Sequence, residues 1–368
     1  MFIFGTRPEA IKMAPIILEA QKVYTSQNVK IVLTGQHMEM VSTIMSFFNL
    51  NADYNLELMK NSQTLSDISI GGLKNLIPII EKEKPDLVLV QGDTTTAFIG
   101  ALAAFYLKIS VAHIEAGLRS GDKYSPFPEE VNRKMISNIA EFHFAPTIRT
   151  KQNLHNESIV NNVFEVGNSV IDSLKLVNKI VQKDIKYSDF FSFINPAKKI
   201  ILVTAHRREN LGQPLLNICN ALIKIVNEFE DIEIVFPVHP NPKVKNVVKS
   251  FLGSNHKIHL IEPLDYPYLV WLINRSYLIL SDSGGIQEEA PSLGKPVLVL
   301  RELTERTEGI DAGTAKLVGT NERDIYQSVS ELLNNTELYK KMSIATNPYG
   351  NGTTSSQILE ILKIKYKP

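Results

Sequence analysis

The sequence predicts an α/β protein of two similar halves, each a parallel sheet built from βαβ units. Short β-branched apolar runs alternate with helix-period stretches almost throughout the chain. The conspicuous polar residues gather immediately after those runs, and 368 residues exceed what one hydrophobic core usually fills.

In the first half, strands are expected at Met1–Phe4, Val29–Thr34, Leu87–Gln91, Val111–Glu115, Phe142–Ala145 and Phe164–Gly167. A second series follows at Ile200–Thr204, Glu233–Val238, Ile258–Ile261, Tyr277–Ser281, Pro296–Leu300 and Lys316–Val318. Between the series, "QKDIKYSDFFSFINPAKK" (Gln182–Lys199) loses helical period and carries Pro196 and four lysines, which reads as the linker region. The tail "TSSQILEILKIKYK" reads as an amphipathic helix. The expected domains are therefore 1–170, completed by the helix 354–368, and 171–353.

Composition narrows the partners. Hydrophobic residues make up 44% and charged residues 21%, as in a globular protein. Lys+Arg (39) balance Asp+Glu (39), so no global field holds nucleic acid or an anionic membrane. Cys219 is the only cysteine, which fits a reducing cytoplasm without intrachain disulfides. The most apolar stretch, Ala97 to Leu107, is too short to span a bilayer, and no signal peptide opens the chain. A cytoplasmic enzyme or binding protein is the expectation.

Parallel sheets bind ligands beyond the carboxyl ends of their strands, so two such edges facing each other would form one polar cleft. "FGTRPEAIKMAP" ends a strand in glycine and starts a helix with Pro8, placing Arg7 and Lys12 where an anion would meet free helix amides. "SDSGGIQEEAPSLGKP" is a stronger phosphate signal. Ser283, Gly284 and Gly285 let the backbone approach a diphosphate, and Arg301 and Arg306 follow in "RELTERTEG". Glu288 and Glu289 either favour the helix dipole or accept from ribose hydroxyls. No G-x-G-x-x-G follows a strand, no Walker motif occurs and no metal-ligand spacing stands out, so neither cofactor nor metal is expected.

The first half supplies acids: Asp93 in "QGDTTTA", Glu115 in "HIEAGLRSGD" and Glu129–Glu130 in "SPFPEEVNRK". Each could cap a helix, yet several carboxylates converging on one cleft resemble proton-transfer equipment. His206, in "TAHRREN", follows a strand of the second half and could serve as acid, base or phosphate ligand.

These blocks, with "PVHPNP" and "NPYGNG", resemble in order and over nearly the whole chain the non-hydrolysing UDP-N-acetylglucosamine 2-epimerases of bacteria. The resemblance implies two Rossmann-like domains in a GT-B-type arrangement with a UDP-sugar in the interdomain cleft, and a homodimer. It implies interconversion of UDP-N-acetylglucosamine and UDP-N-acetylmannosamine, precursors of surface polysaccharides, by elimination of UDP to 2-acetamidoglucal and re-addition. Asp93, Glu115, Glu129 and His206 would be catalytic. Arg7, Lys12, Ser283, Gly284, Gly285, Glu289 and Arg306 would bind UDP and substrate. Sequence leaves open whether Glu115 or Asp93 is the principal base, with Glu129 assisting re-protonation, and Leu264, Tyr268 and Leu269 are candidate uracil contacts. A regulatory site in relatives maps to Gln36, His37 and His239. Met38 and Gly71 stand where regulated relatives often carry Arg, so weak or absent activation is expected. Two alternatives remain: a hydrolysing relative that releases N-acetylmannosamine, and a GT-B glycosyltransferase or nucleotide-sugar-binding protein.

Overall fold

The computed structural model describes residues 1–35, 38–59 and 63–367. By its contacts the chain forms two compact units, Met1–Ser173 with Tyr349–Pro368, and Leu174–Pro348.

The first unit holds seven strands: β1 (Phe2–Phe4), β2 (Ile31–Leu33), β3 (Tyr54–Asn55), β4 (Leu87–Gln91), β5 (Ser110–Ile114), β6 (Phe142–Ala145) and β7 (Val163–Glu165). All pair in parallel in the order β3-β2-β1-β4-β5-β6-β7. The second unit holds β8 (Lys199–Thr204), β9 (Ile232–Pro237), β10 (Ile258–Ile261), β11 (Leu278–Ser281), β12 (Val297–Val299) and β13 (Ala315–Leu317). These are parallel too, in the order β10-β9-β8-β11-β12-β13. The expected α/β class and its parallel sheets are what the chain forms. Helices cover both faces of such a sheet, which is why the central strands are almost wholly apolar: Ile200–Val203 and Leu278–Leu280 are fully buried. The strand absent from the sequence reading is β3, a two-residue edge strand with no apolar run to announce it.

In each sheet the strand order reverses once, between β1 and β4 and between β8 and β11, the kind of point at which parallel sheets offer a ligand a crevice. In the first unit that point is held by Glu9. The helix Arg7–Asn28 starts with a capping box in which Thr6 and Glu9 satisfy each other's backbone amides. The Glu9 carboxylate, 1% exposed, accepts from the amides of Gly5 (2.9 Å) and Thr6 (2.7 Å) and from Thr94 Oγ1 (2.6 Å). Thr94 in turn caps the helix Thr95–Tyr106 that follows β4. One carboxylate thus ties together both helix starts beside the crevice.

The C-terminal helix Thr354–Lys365 packs against Arg7–Asn28 and belongs to the first unit. Its amides at Thr354 (3.3 Å) and Ser355 (2.8 Å) donate to the buried carboxylate of Asp172. The stretch Gln182–Lys199, which the sequence reads as the linker region, contains a short helix. Asp184 caps a short helix, Ile185–Phe190, in the second unit; Tyr187 packs on Tyr268, and Phe191 stacks on Trp271 at 4.7 Å. Aromatic burial holds this segment, and that leaves no helical period to read. Among the described residues no helix is long and apolar enough to cross a membrane.

Burial pushes the Glu9 carboxyl above the ordinary value of 4.5, and hydrogen bonds from Thr94, Gly5 and Thr6 only partly offset it. The native state therefore binds a proton that the unfolded state has released, so this contribution to stability is present below pH 4.5 and is lost as pH rises through the folded value. Urea titrations across this range should show stability falling with pH in the wild type and a flatter profile in Glu9→Gln, which has no charge to bury. Asp172→Ala leaves two buried amides without their acceptor and should lower the unfolding free energy by about 2–4 kcal/mol. Circular dichroism in urea measures it.

Candidate active site

In the first unit the acids lie just beyond β4 and β5. Glu115 follows β5 with its backbone in the left-handed region (φ 64°), a conformation costing a residue other than glycine about 1–3 kcal/mol. Its surroundings over-determine it. The buried carboxylate takes Lys12 Nζ at 2.6 and 2.7 Å, Asn168 Nδ2 at 3.3 Å and a very short hydrogen bond from Gln91 Nε2. Lys12 comes from the helix after β1, Gln91 ends β4 and Asn168 follows β7, so the carboxylate gathers three segments.

Asp93 is held by Arg133, whose Nε and Nη2 lie 2.8 and 2.7 Å from Oδ2, and its carbonyl accepts from Asn132 Nδ2 at 2.9 Å. Arg133 also reaches Glu130 at 3.0 Å. Glu130 is fully buried. Burial would push its carboxyl up, but the Ser120 amide, Arg133 and the Gly121 amide outweigh that and hold it below the usual carboxylate range. It anchors the loop. Glu129, the first residue of the helix Glu129–Ile139, differs from its neighbours: its Oε2 is buried and meets no hydrogen-bond partner among the described residues.

In the second unit the loops after β8 and β11 meet on Asp282, which is fully buried. Its Oδ2 accepts from the amides of His206 and Arg207, both at 2.8 Å, and from Asn210 Nδ2 at 3.0 Å. His206 Nδ1 lies 2.8 Å from Oδ1. His239, exposed beyond β9, stacks on the His206 ring at 6.0 Å between centroids. Ser283 precedes the short helix Gly284–Glu289. A Cβ on Gly284 would sit 2.8 Å from Arg306 Cζ, so only glycine lets the guanidinium lie on this loop. Arg306 pairs with Glu288 at 3.0 Å, while Glu289 accepts from Tyr266 Oη at 2.7 Å. Arg301 bridges Glu209 (2.6 Å) and Glu305 (2.7 Å). Burial would raise the Glu305 carboxyl, but its own amide and the two arginines bring it down to about 2. The charge of Arg301 is thus committed to fixing its own loop.

Against the sequence reading, Arg7 stands half-buried at the start of its helix, and Glu115, Asp93 and Glu129 gather at one edge of one sheet. His206, Ser283, Gly284, Gly285, Glu289 and Arg306 belong to the other unit. Lys12, expected at an anion site, places its ammonium on Glu115. Leu264 packs in the second unit's core, with Tyr268 and Leu269 against it. Gln36 and His37 lie outside the described residues. Sequence reasoning passed over Glu9, Gln91 and Arg133, and gave Asp282, noted among the polar residues after a strand, no role. Glu9 was legible as the far end of a T-x-x-E capping box, and Asp282 as an acid directly after an apolar strand. Nothing in the sequence marks Gln91 or Arg133. Among the described residues no group of three or more His, Cys, Asp or Glu could hold a metal ion.

The family model described as UDP-N-acetylglucosamine 2-epimerase matches residues 20–363. The UDP-N-acetylglucosamine 2-epimerase of Bacillus subtilis is 50% identical over 367 residues, covering 100% of this chain and 95% of its own. That of Escherichia coli K12 is 48% identical, covering 98% of this chain and 97% of its own. The crystal structure of the Neisseria meningitidis UDP-GlcNAc 2-epimerase bound to UDP-GlcNAc superposes with a TM-score of 0.91 at 47% identity, covering 99% of each chain. The chain belongs to the UDP-N-acetylglucosamine 2-epimerase family.

Proposed function

We propose that this enzyme interconverts UDP-N-acetylglucosamine and UDP-N-acetylmannosamine without hydrolysis, by anti-periplanar or syn loss of UDP across C1–C2 to 2-acetamidoglucal and re-addition that inverts C2. The substrate rests on the Neisseria meningitidis relative, whose structure is described as bound to UDP-GlcNAc. The mechanism rests on chemistry. The C2 proton is not next to a carbonyl, so its removal needs the anomeric diphosphate to leave in the same event and spare a free carbanion. Such a reaction wants a carboxylate at C2 and fixed positive charge at the diphosphate.

The observation that carries this reading is the graded pairing of the acids. Glu115 meets a lysine, Asp93 meets an arginine, and Glu129 has a buried oxygen with no partner among the described residues. We assign Glu115 or Asp93 as the base that takes the C2 proton and Glu129 as the group that returns one to the glycal. Lys12 holds Glu115 in place beside the sugar. Arg7, His206, Ser283, Gly284, Gly285 and Arg306 receive the UDP, and Glu289 its ribose, with Tyr266 fixing that carboxylate. No cofactor or metal enters the scheme. We further propose a cytoplasmic homodimer that supplies polysaccharide precursors.

Two experiments test the reading. Incubation with UDP-N-acetylglucosamine in deuterated water should place deuterium at C2 of the recovered sugar nucleotide and yield the manno epimer. Glu115→Gln and Glu129→Gln should each lower turnover by about 100-fold or more while UDP still binds. Free N-acetylmannosamine would instead support the hydrolytic relative, and neither deuterium nor epimer would support a transferase. Activation is tested separately. With Met38 and Gly71 at positions where regulated relatives often carry Arg, turnover of UDP-N-acetylmannosamine should proceed without added UDP-N-acetylglucosamine; a strict requirement for it would overturn that expectation.

A further inference from the structure

We infer that Asp282 is the positioning residue for His206, holding the imidazole with its proton on Nδ1 so that Nε2 is the one ring atom left to meet the ligand. The inference rests on the reading above, in which His206 faces the departing diphosphate.

The two oxygens of Asp282 do separate jobs. Oδ2 is fully engaged by the loop after β8, taking the amides of His206 and Arg207 and the side chain of Asn210. Asn210 is itself buried and also donates to the carbonyl of Leu300 at 3.0 Å, so the frame reaches the end of β12. That much would serve a loop clasp with any side chain at position 206. Oδ1 adds nothing to the clasp. Its close polar neighbour is His206 Nδ1, 2.8 Å away.

The protonation state follows from that contact. An unprotonated ring nitrogen at this distance from a fully buried carboxylate oxygen would set lone pair against lone pair where no water can intervene, so Nδ1 carries the hydrogen. Burial would raise the Asp282 carboxyl, but the contact with His206 and the amides of Arg207 and His206 outweigh it and keep the group ionised, below the usual carboxylate range. His206 is thus gripped twice by one side chain, at its backbone amide and at its ring. His239 stacks on the ring at 6.0 Å with 19° between planes and restricts its swing. The His206 side chain is still 40% exposed, which leaves Nε2 open beyond β8.

In the elimination, a carboxylate takes the C2 proton, the C2–H electron pair becomes the C1–C2 double bond, and the C1–O pair stays on the diphosphate oxygen. With a second proton taken up from solvent at Nε2, the ring is an imidazolium whose charge Asp282 balances, and Nε2–H donates to that oxygen. Because the proton on Nδ1 is held by Asp282, the ring can gain or lose one at Nε2 without changing its orientation, which is the advantage of an oriented imidazole over a mobile one.

Asp282→Asn separates the two jobs. The amide oxygen takes the place of Oδ2 and keeps its donors, whereas the NH2 takes the place of Oδ1 and donates to Nδ1, forcing the ring proton to Nε2. Nitrogen NMR of histidine-labelled, ligand-free enzyme reads the tautomer at a pH where the ring is neutral, with the His206 signal assigned through His206→Gln. The expected result is Nδ1 protonated in the wild type and Nε2 protonated in Asp282→Asn. In steady state, kcat of Asp282→Asn should fall by about 100-fold with KM changed less than about threefold. A wild-type ring protonated on Nε2, or a variant with unchanged kcat, would overturn the inference. Should the variant not fold, the wild-type tautomer alone decides. The tautomer is read without turnover, so a wild type that lacks epimerase activity would refute the proposed reaction and not the Asp282–His206 pair.

Discussion

A buried carboxylate bound to backbone amides stands at the strand-order reversal of each sheet, and the geometry of the loops beside it depends on that carboxylate. Opening a crevice between β1 and β4, or between β8 and β11, leaves loop amides facing a dry interior, where each unsatisfied group costs about 1–3 kcal/mol. Glu9 in the first unit and Asp282 in the second answer that cost in the same way, although one comes from the loop on the first strand and the other from the loop on the second. At Asp282 the ionised carboxylate accepts these hydrogen bonds more strongly than a neutral side chain would. With each crevice anchored, the residues that flank it need not hold the backbone and become available to a ligand.

From that constraint follows the distribution of charge. Most acids near the strand ends have structural partners: Glu130 anchors Ser120 and Gly121, Glu305 and Glu209 hold Arg301, and Glu288 holds Arg306. Lysine and arginine beside Glu115 and Asp93 keep those carboxylates oriented at a sheet edge where several acids would otherwise repel one another. The left-handed backbone at Glu115 belongs to the same economy, since three segments of the first unit converge on that one side chain. Site residues of this kind cannot be assigned one at a time, because each is fixed by a partner from a distant part of the chain.

That limits what the sequence could disclose. The strands were legible because both faces of a parallel sheet are covered, so β4, β8 and β11 are apolar without interruption. The loops after them were legible because glycine, proline and paired charges mark a strand giving way to a helix. Those local signals located Asp93, Glu115, His206 and the Ser283–Gly285 loop. They did not disclose β3, whose two residues bury no apolar run, nor the helix Ile185–Phe190, held by rings from Tyr268 and Trp271 some eighty residues away in sequence.

By itself the amino-acid sequence determined the class of fold, the places where chemistry can sit and the family to which the chain belongs, since periodicity, helix caps and motif order act over a few residues. Tertiary structure alone decided which charges are free to act. Lys12 ends on Glu115, Arg133 on Asp93 and Asp282 on His206, across 103, 40 and 76 residues of chain. A hydrogen bond between such distant positions exists only once the sheet has brought strand ends together, and no local pattern encodes it.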